Sequence, residues 1–151
     1  MKNKISVYRV KLEKLTTYHL DYDAHSITKP DVAADIFRNY MDNFCSTDRE
    51  NFVVMFLNTK MRIVGISTAH VGSLDASIVH PREIYTEALL HKAASIIVCH
   101  NHPSGDPTPS REDFSMTTIL QEAGDLLQIP VLDHIILGEE RFYSMKKNQD
   151  M

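Results

Sequence analysis

Two histidines and an aspartate form the chemically most informative group in the sequence. His100 and His102 are separated by one residue at the end of an apolar run, and Asp113 follows a loop rich in proline and glycine. Side chains two residues apart on an extended chain point to the same side, so both imidazoles can face one point. Asp113 falls in the first turn of a predicted helix, within reach of that point. Two imidazole nitrogens and one carboxylate oxygen, with a position left for water, are typical of catalytic zinc.

Such a zinc ion would lower the pKa of its water to roughly 7 and generate hydroxide at neutral pH. The spacing leaves alternatives open, because a His-x-His pair is weak in a chain with eight histidines. Asp113 also fits a capping box that begins at Ser110, in which the acid accepts a hydrogen bond from a free backbone N–H. The position of the group at the carboxyl end of a predicted strand favours the metal interpretation, since ligand sites of open α/β sheets are common there.

The elements predicted around this group indicate an α/β fold, a mixed sheet flanked by helices. Strands are predicted from period-two alternation or from short apolar runs, and helices from apolar residues spaced by three and four. The predicted strands are 5–12, 52–57, 62–66, 94–99, 129–137 and 141–145, of which 52–57 and 62–66 form a hairpin. The predicted helices are 30–44, one that opens at 80–83, and 111–123, which Gly124 ends after the loop 102–109.

Composition and charge exclude several classes of protein. The chain has 151 residues, 43% of them hydrophobic and 24% charged, which is ordinary for a globular domain that folds without staples. Its net charge of −4 comes without a basic stripe, so strong nucleic-acid binding is not expected. Cys45 and Cys99 form no Cys-x-x-Cys pair, which favours a reduced, cytoplasmic compartment. We expect neither a signal peptide in residues 1–15 nor a membrane span.

The segment around the two histidines resembles the motif of the JAB1/MPN (JAMM) metalloproteases. The match consists of His-Asn-His-Pro at 100–103 followed by Ser110 and Asp113. A longer string, from His-Pro-Arg-Glu at 80–83 through the loop to the later Asp-His at 133–134, resembles the RadC branch of that superfamily. The resemblance covers about residues 46–147. It implies a cytidine-deaminase-like fold and a zinc hydrolase of amide bonds in a peptide or protein substrate. We therefore divide the chain into a strand and helix extension, 1–45, and a RadC-like domain, 46–151.

The resemblance also implies two catalytic roles. Glu50, just before the predicted strand 52–57, matches a glutamate that acts as general base, taking a proton from water and delivering it to the leaving amine. Ser110 matches a donor of a hydrogen bond to the oxyanion of the tetrahedral intermediate. Without the resemblance Glu50 would be a solvated end group and Ser110 a helix cap. Glu83 and Glu87 are alternatives to Glu50, but both are expected on a helix surface.

Three further residues could contribute to the site, namely Cys99, Asp133 and His134. His134 either orients a metal ligand from behind it or forms a structural pair with Asp133, and we favour the structural pair. Cys99 precedes His100 by one residue and is expected to point to the opposite face of the sheet. We therefore do not predict Cys99 as a ligand.

Other functions were weighed against the zinc hydrolase. Zinc deaminases need His-x-Glu and Pro-Cys-x-x-Cys, and a further class of metallopeptidase needs His-Glu-x-x-His; the chain contains none of these strings. HNH nucleases disperse their three residues over a ββα unit. RadC-like proteins are traditionally described as DNA-repair factors, so nucleic-acid processing at the same metal is the second hypothesis, although residues 1–45 show no helix-hairpin-helix pattern. A non-catalytic MPN-type interaction module is the third.

Overall fold

The structure, a computed structural model, describes residues 3–19, 26–72 and 79–151. In chain order its elements are α1 Pro30–Phe44, β1 Asn51–Leu57, β2 Ile63–Val71, α2 Pro81–Leu90, β3 Ser95–Asn101, α3 Arg111–Leu127, β4 Val131–Leu137 and β5 Phe142–Ser144. The strands form one sheet in the order β2-β1-β3-β4-β5. None of the helices in the described ranges combines the length and the apolar character needed to cross a bilayer.

The sheet is mixed, and its two central strands are completely buried. β1 pairs antiparallel with both β2 and β3, whereas β3 pairs parallel with β4. The parallel pair requires a crossover, which α3 provides. Every residue of β1 and β3 is buried, as expected for strands that read as continuous apolar runs. The predicted mixed α/β sheet flanked by helices is confirmed.

The two faces of the sheet carry separate hydrophobic cores. α1 covers one face, where Phe37 packs with Met55 and Cys99. α2 and α3 cover the other face, where Ile84 and Leu120 pack with residues of β1 and β3. Cys99 therefore points to the α1 face as predicted, and burial raises the pKa of its thiol well above the ordinary value. On the side of the sheet that α3 covers, the carboxyl end of β3 with His100 faces the first turn of α3 with Asp113.

The predicted strand at 5–12 is wrong. Residues 3–19 contain neither helix nor strand, and Ile5 and Val7 are 87% and 94% exposed. Alternation of residue types creates an apolar face, but a strand also needs a neighbour for its backbone N–H and C=O groups. The predicted helix 30–44 is confirmed as α1, with Pro30 in its first turn. The division of the chain at residue 45 stays a prediction.

The predicted end of α3 at Gly124 is also wrong. The helix continues to Leu127, and Gln128 closes it in the left-handed conformation at φ 57°. Gly124 instead permits close packing, because a Cβ there would lie 2.4 Å from the Tyr85 hydroxyl oxygen and 2.5 Å from the Ile129 carbonyl oxygen. The Tyr85 hydroxyl in turn donates a hydrogen bond to the carbonyl of Leu120 at 2.8 Å. Gly124 thus allows α2 and the chain entering β4 to approach α3.

Gly124→Ala is expected to lower the free energy of unfolding. Helix propensity alone would favour alanine by about 1 kcal/mol, but the added methyl group meets the backbone oxygen of Ile129, and overpacking costs about 1–3 kcal/mol. Thermal denaturation would measure the difference. Ser115→Ala, an exposed position in the same helix, is the control and should be neutral or slightly stabilising. A Gly124→Ala protein as stable as wild type would contradict the packing role.

Candidate metal centre

His100, His102 and Asp113 converge at the carboxyl end of β3. The Nε2 atom of His100 lies 2.9 Å from Nε2 of His102 and 3.2 Å from Oδ1 of Asp113. Nε2 of His102 lies 3.5 Å from Oδ2 of Asp113. One ligand atom from each residue can be chosen so that all lie within 4.8 Å of one another. The structure therefore brings together the three residues that the sequence singled out, as a group that could hold a metal ion.

Hydrogen bonds orient His102. Its backbone N–H donates to the carbonyl of Leu137 at 2.9 Å, which continues the pairing of β3 with β4 by one residue. Its Nδ1 lies 2.8 Å from the carbonyl oxygen of Asp106 in the following loop. A carbonyl can only accept, so Nδ1 carries a proton; in the neutral ring Nε2 then has a free lone pair, whereas in the protonated ring Nε2 faces Asp113 as a donor. With the ring neutral, the loop thus presents a nitrogen ready to bind a cation.

Asp113 is both a helix cap and a member of the cluster. Its Oδ2 accepts a hydrogen bond from the backbone N–H of Ser110 at 2.7 Å, and its own N–H donates to Oγ of Ser110 at 3.2 Å. This is the capping box considered from the sequence. A carboxylate has about four lone-pair sites, so the cap leaves acceptor capacity toward the imidazoles. The two interpretations of Asp113 are compatible because the cap fixes the carboxylate where the histidines converge.

The ionisation of the cluster suits metal binding. Burial lowers the pKa of His100, against the opposing hydrogen bond to Asp113. Burial alone would raise the pKa of Asp113, but the hydrogen bonds from His100 and His102 outweigh it and hold that pKa well below its ordinary value. A neutral imidazole and an ionised carboxylate are the forms that bind metals. The hydrogen bond to Asp113 raises the pKa of His102, so a proton competes with a metal at that residue.

The spacing of the donor atoms also fits a small ion. Ligands held about 2.0–2.1 Å from a tetrahedral zinc lie about 3.3 Å from one another. The separations between the Nε2 atoms and the carboxylate oxygens here are 2.9, 3.2 and 3.5 Å. The separations are therefore similar to those between ligands of one small ion, with His100 and His102 facing different oxygens of Asp113.

Strand register places Glu50 beside the cluster. Phe52 on β1 pairs with His100 on β3 in an antiparallel ladder, and the backbone N–H of Asn51 donates to Oδ1 of Asn101 at 2.8 Å. Glu50 precedes β1 by one residue, and continuation of this register would place it opposite the part of the chain that holds His102. The charge of Glu50 raises the pKa of His102 in addition to the larger effect of the hydrogen bond to Asp113.

The other candidate residues from the sequence are Ser110, Glu83 and Glu87. Ser110 is exposed next to the cluster, and its hydroxyl, which accepts from the N–H of Asp113, keeps a proton to donate. Glu83 is exposed in the first turn of α2. Glu87 accepts a hydrogen bond from the hydroxyl of Ser67 on β2. Both alternatives to Glu50 lie on α2 outside the cluster; Glu83 is on the helix surface as expected, whereas Glu87 is half-buried against β2.

Asp133 and His134 are neighbours in the sequence but make different kinds of contact. Asp133 accepts hydrogen bonds from the hydroxyl of Ser144 at 2.6 Å and from the backbone N–H of Lys146 at 3.1 Å, which is a structural role. Contrary to the interpretation we favoured, His134 contacts a candidate ligand, since its Nε2 lies 2.8 Å from Nδ1 of His100. The pairing of β3 with β4 produces this contact, which the linear sequence does not show.

Sequence reasoning missed Thr117. Its Oγ1 lies 2.6 Å from Nδ1 of His134 and donates to the carbonyl of Asp113 at 2.7 Å. The available signal was its position four residues after Asp113, on the same face of α3. A buried hydroxyl on that face needed a partner, and the sequence did not identify one.

A cavity of about 330 Å³ opens beside His102. Its walls come from the loop after β3, from α1 and from the turn between β4 and β5. Arg38, Asn101, Ser104 and Glu139 supply polar groups to it. The guanidinium of Arg38 donates to the carbonyls of Gly138 and Glu139 at 3.0 and 3.1 Å, which fixes this wall. Of the cluster, His102 alone is among the lining residues, so the cavity meets the cluster at that residue.

Comparison with known proteins places these residues in a family. Residues 27–150 match the RadC-like JAB domain family. The chain is 47% identical over 127 residues to a UPF0758 protein of Halalkalibacterium halodurans, covering 84% of this chain and 53% of the relative. It is 50% identical over 125 residues to a UPF0758 protein of Bacillus licheniformis, covering 83% and 54%. The chain thus spans about half the length of the curated relatives it matches.

Proposed function

Since this chain belongs to the RadC-like JAB domain family, we propose that it is a zinc-dependent hydrolase of amide bonds in peptide or protein substrates. Its mixed sheet and flanking helices agree with the JAB/MPN fold expected from the motif. The observation that carries the proposal is the convergence of His100, His102 and Asp113 on one point. Three protein ligands are the number that catalytic zinc sites use, whereas structural sites use four.

His100, His102 and Asp113 would hold the ion. Bound there, zinc would supply a Lewis acid that polarises water and the carbonyl of the scissile bond. Glu50 would accept a proton from the attacking water and pass it to the departing amine, which must be protonated to leave. The hydroxyl of Ser110 would donate a hydrogen bond to the carbonyl oxygen as negative charge develops on it.

The surroundings of the cluster support an amide substrate. The cavity beside His102 has room for a side chain of a bound peptide, and its walls carry both charges, from Arg38, Asp42 and Glu139. Arg38 is already engaged by backbone carbonyls, so this wall does not present a free phosphate-binding fork. The net charge of the whole chain is −4, which opposes binding to a polyanion. These features favour a peptide over a nucleic acid.

Removal and return of the metal tests the proposal directly. The purified chain, stripped with a chelator, should cleave none of a panel of peptides, isopeptide-linked conjugates and DNA. Added zinc should restore cleavage of amide substrates only, because the bound cation would polarise the water and the scissile carbonyl. Cleavage of DNA instead would support the nucleic-acid hypothesis. Zinc binding without cleavage of any substrate would favour a non-catalytic interaction module.

A further inference from the structure

A buried chain of hydrogen bonds leads away from the candidate metal centre and returns to it. Nδ1 of His100 lies 2.8 Å from Nε2 of His134, and Nδ1 of His134 lies 2.6 Å from Oγ1 of Thr117. The hydroxyl of Thr117 then donates to the backbone carbonyl of Asp113 at 2.7 Å. His100 and His134 are 0% exposed and Thr117 is 2% exposed. The chain therefore links the two buried ligands through β4 and α3, without contact with solvent.

Binding of a metal at Nε2 of His100 fixes the direction of every bond in this chain. That nitrogen must offer its lone pair, so the neutral ring carries its proton on Nδ1 and donates to Nε2 of His134. His134 then carries its own proton on Nδ1 and donates to the oxygen of Thr117. The Thr117 hydroxyl keeps its proton for the carbonyl of Asp113. His134 and Thr117 each donate once and accept once, between His100 as first donor and the carbonyl of Asp113 as last acceptor, so no proton is missing and none is left over.

The surroundings leave His134 and Thr117 few other partners. The ring of Phe52 packs edge-on against His134 with the centroids 5.8 Å apart, and Sδ of Met145 lies 3.1 Å from Oγ1 of Thr117. Within the described part of the chain, every buried side-chain nitrogen or oxygen has a hydrogen-bond partner. A ring nitrogen displaced from these partners would be left unpaired in a buried, largely apolar setting, which is costly.

We propose that His134 and Thr117 are positioning residues for the metal, holding His100 with its Nε2 lone pair aimed at the ion and coupling it to the helix that carries Asp113. The inference rests on the proposed function only in that it needs a metal to bind. Neither residue touches the ion or the substrate. Outer partners of this kind fix the tautomer and orientation of a ligating histidine.

Thr117→Val and Thr117→Ser provide a matched test. Valine has nearly the same shape but cannot accept from His134, whereas serine keeps the hydroxyl. We expect Thr117→Val to weaken zinc binding about 10-fold, as loss of an outer partner does elsewhere, and Thr117→Ser to bind zinc as wild type does. Zinc affinity is measured by competition with a chromophoric chelator, and thermal denaturation of the metal-free proteins confirms that each variant is folded.

Nitrogen-15 NMR of the zinc-loaded wild type gives a second readout, with both His100 and His134 expected in the Nδ1-protonated form. Equal zinc affinity for Thr117→Val and wild type, or a proton on Nε2 of His134, would overturn the inference. A wild type that binds zinc tightly but cleaves no amide would refute the proposed hydrolase. The zinc affinities and the NMR spectra would still decide the positioning role of His134 and Thr117. A wild type that binds no zinc would overturn both.

Discussion

The His100→Ala variant is expected to purify without zinc and without hydrolytic activity. The substitution leaves His102 and Asp113 as the only protein donors, too few for a stable zinc site. Because loss of a mere outer partner costs up to about 100-fold in metal affinity, loss of a ligand should cost more. Elemental analysis of the purified protein, followed by zinc titration, measures the effect.

The expected loss reflects the position of His100, not the removal of a histidine as such. His100 is fully buried and lies at the meeting point of the cluster, with Nε2 facing both His102 and Asp113. His91 offers a matched control, because its ring stacks on Phe56 with the centroids 4.5 Å apart. Phe56 pairs with Ile96, which is four residues or roughly 13 Å from His100 along β3.

His91→Ala should therefore retain a full complement of zinc. The variant will lose packing against Phe56, so its thermal stability is compared as well as its metal content. Unchanged zinc in His100→Ala, with normal folding, would refute the assignment of His100 as a ligand. Zinc loss in both variants would indicate a general effect on folding instead of a ligand role.

Glu50→Gln is expected to keep its zinc and lose turnover. Glutamine has nearly the same shape as glutamate but cannot accept the proton, and positioned general bases contribute about 100- to 10,000-fold to rate. The fall should appear in kcat, because Glu50 would act on the proton and is not in the cluster that could hold the ion. Steady-state kinetics on an amide substrate, together with zinc analysis, separates these effects.

Glu83→Gln is the control for this change. Glu83 also lies at the start of its element, in the first turn of α2, but it is exposed and was the competing choice from the sequence. Its variant should keep wild-type kcat. Full turnover by a zinc-loaded Glu50→Gln protein would eliminate Glu50 as the base, whereas loss of zinc from that protein would show that Glu50 helps to hold the ion.

Local spacing, together with the resemblance to the JAMM motif, singled out the candidate metal cluster. His100 and His102 share one side of an extended chain, and Asp113 sits in the first turn of the next helix, so their geometry depends on only fourteen consecutive residues, 100–113. Periodicity also located the central strands and the helices, because burial of one or both faces of an element imposes a repeat on its own sequence.

Two sequence patterns led to wrong predictions because their meaning depended on residues that lie elsewhere in the chain. The alternation at 5–12 favoured a strand, yet residues 3–19 form no ladder with a neighbour. Gly124 resembled a helix end, yet its small size serves the contact of α3 with Tyr85 and Ile129. In both cases the residue types were informative, but their meaning depended on what lies next to them in space.

Tertiary structure decided which distant residues join the cluster. The antiparallel register of β1 with β3 brings the residue before β1, Glu50, toward the segment that holds His102, and the parallel pairing of β4 with β3 brings His134 to His100. Thr117 completes the group only because α3 packs its inner face over His134. Local chain geometry brings the three candidate ligands together, since a short stretch of chain separates them. The groups that orient those ligands or move protons come from separate strands and helices, and only the folding of the sheet sets their distances.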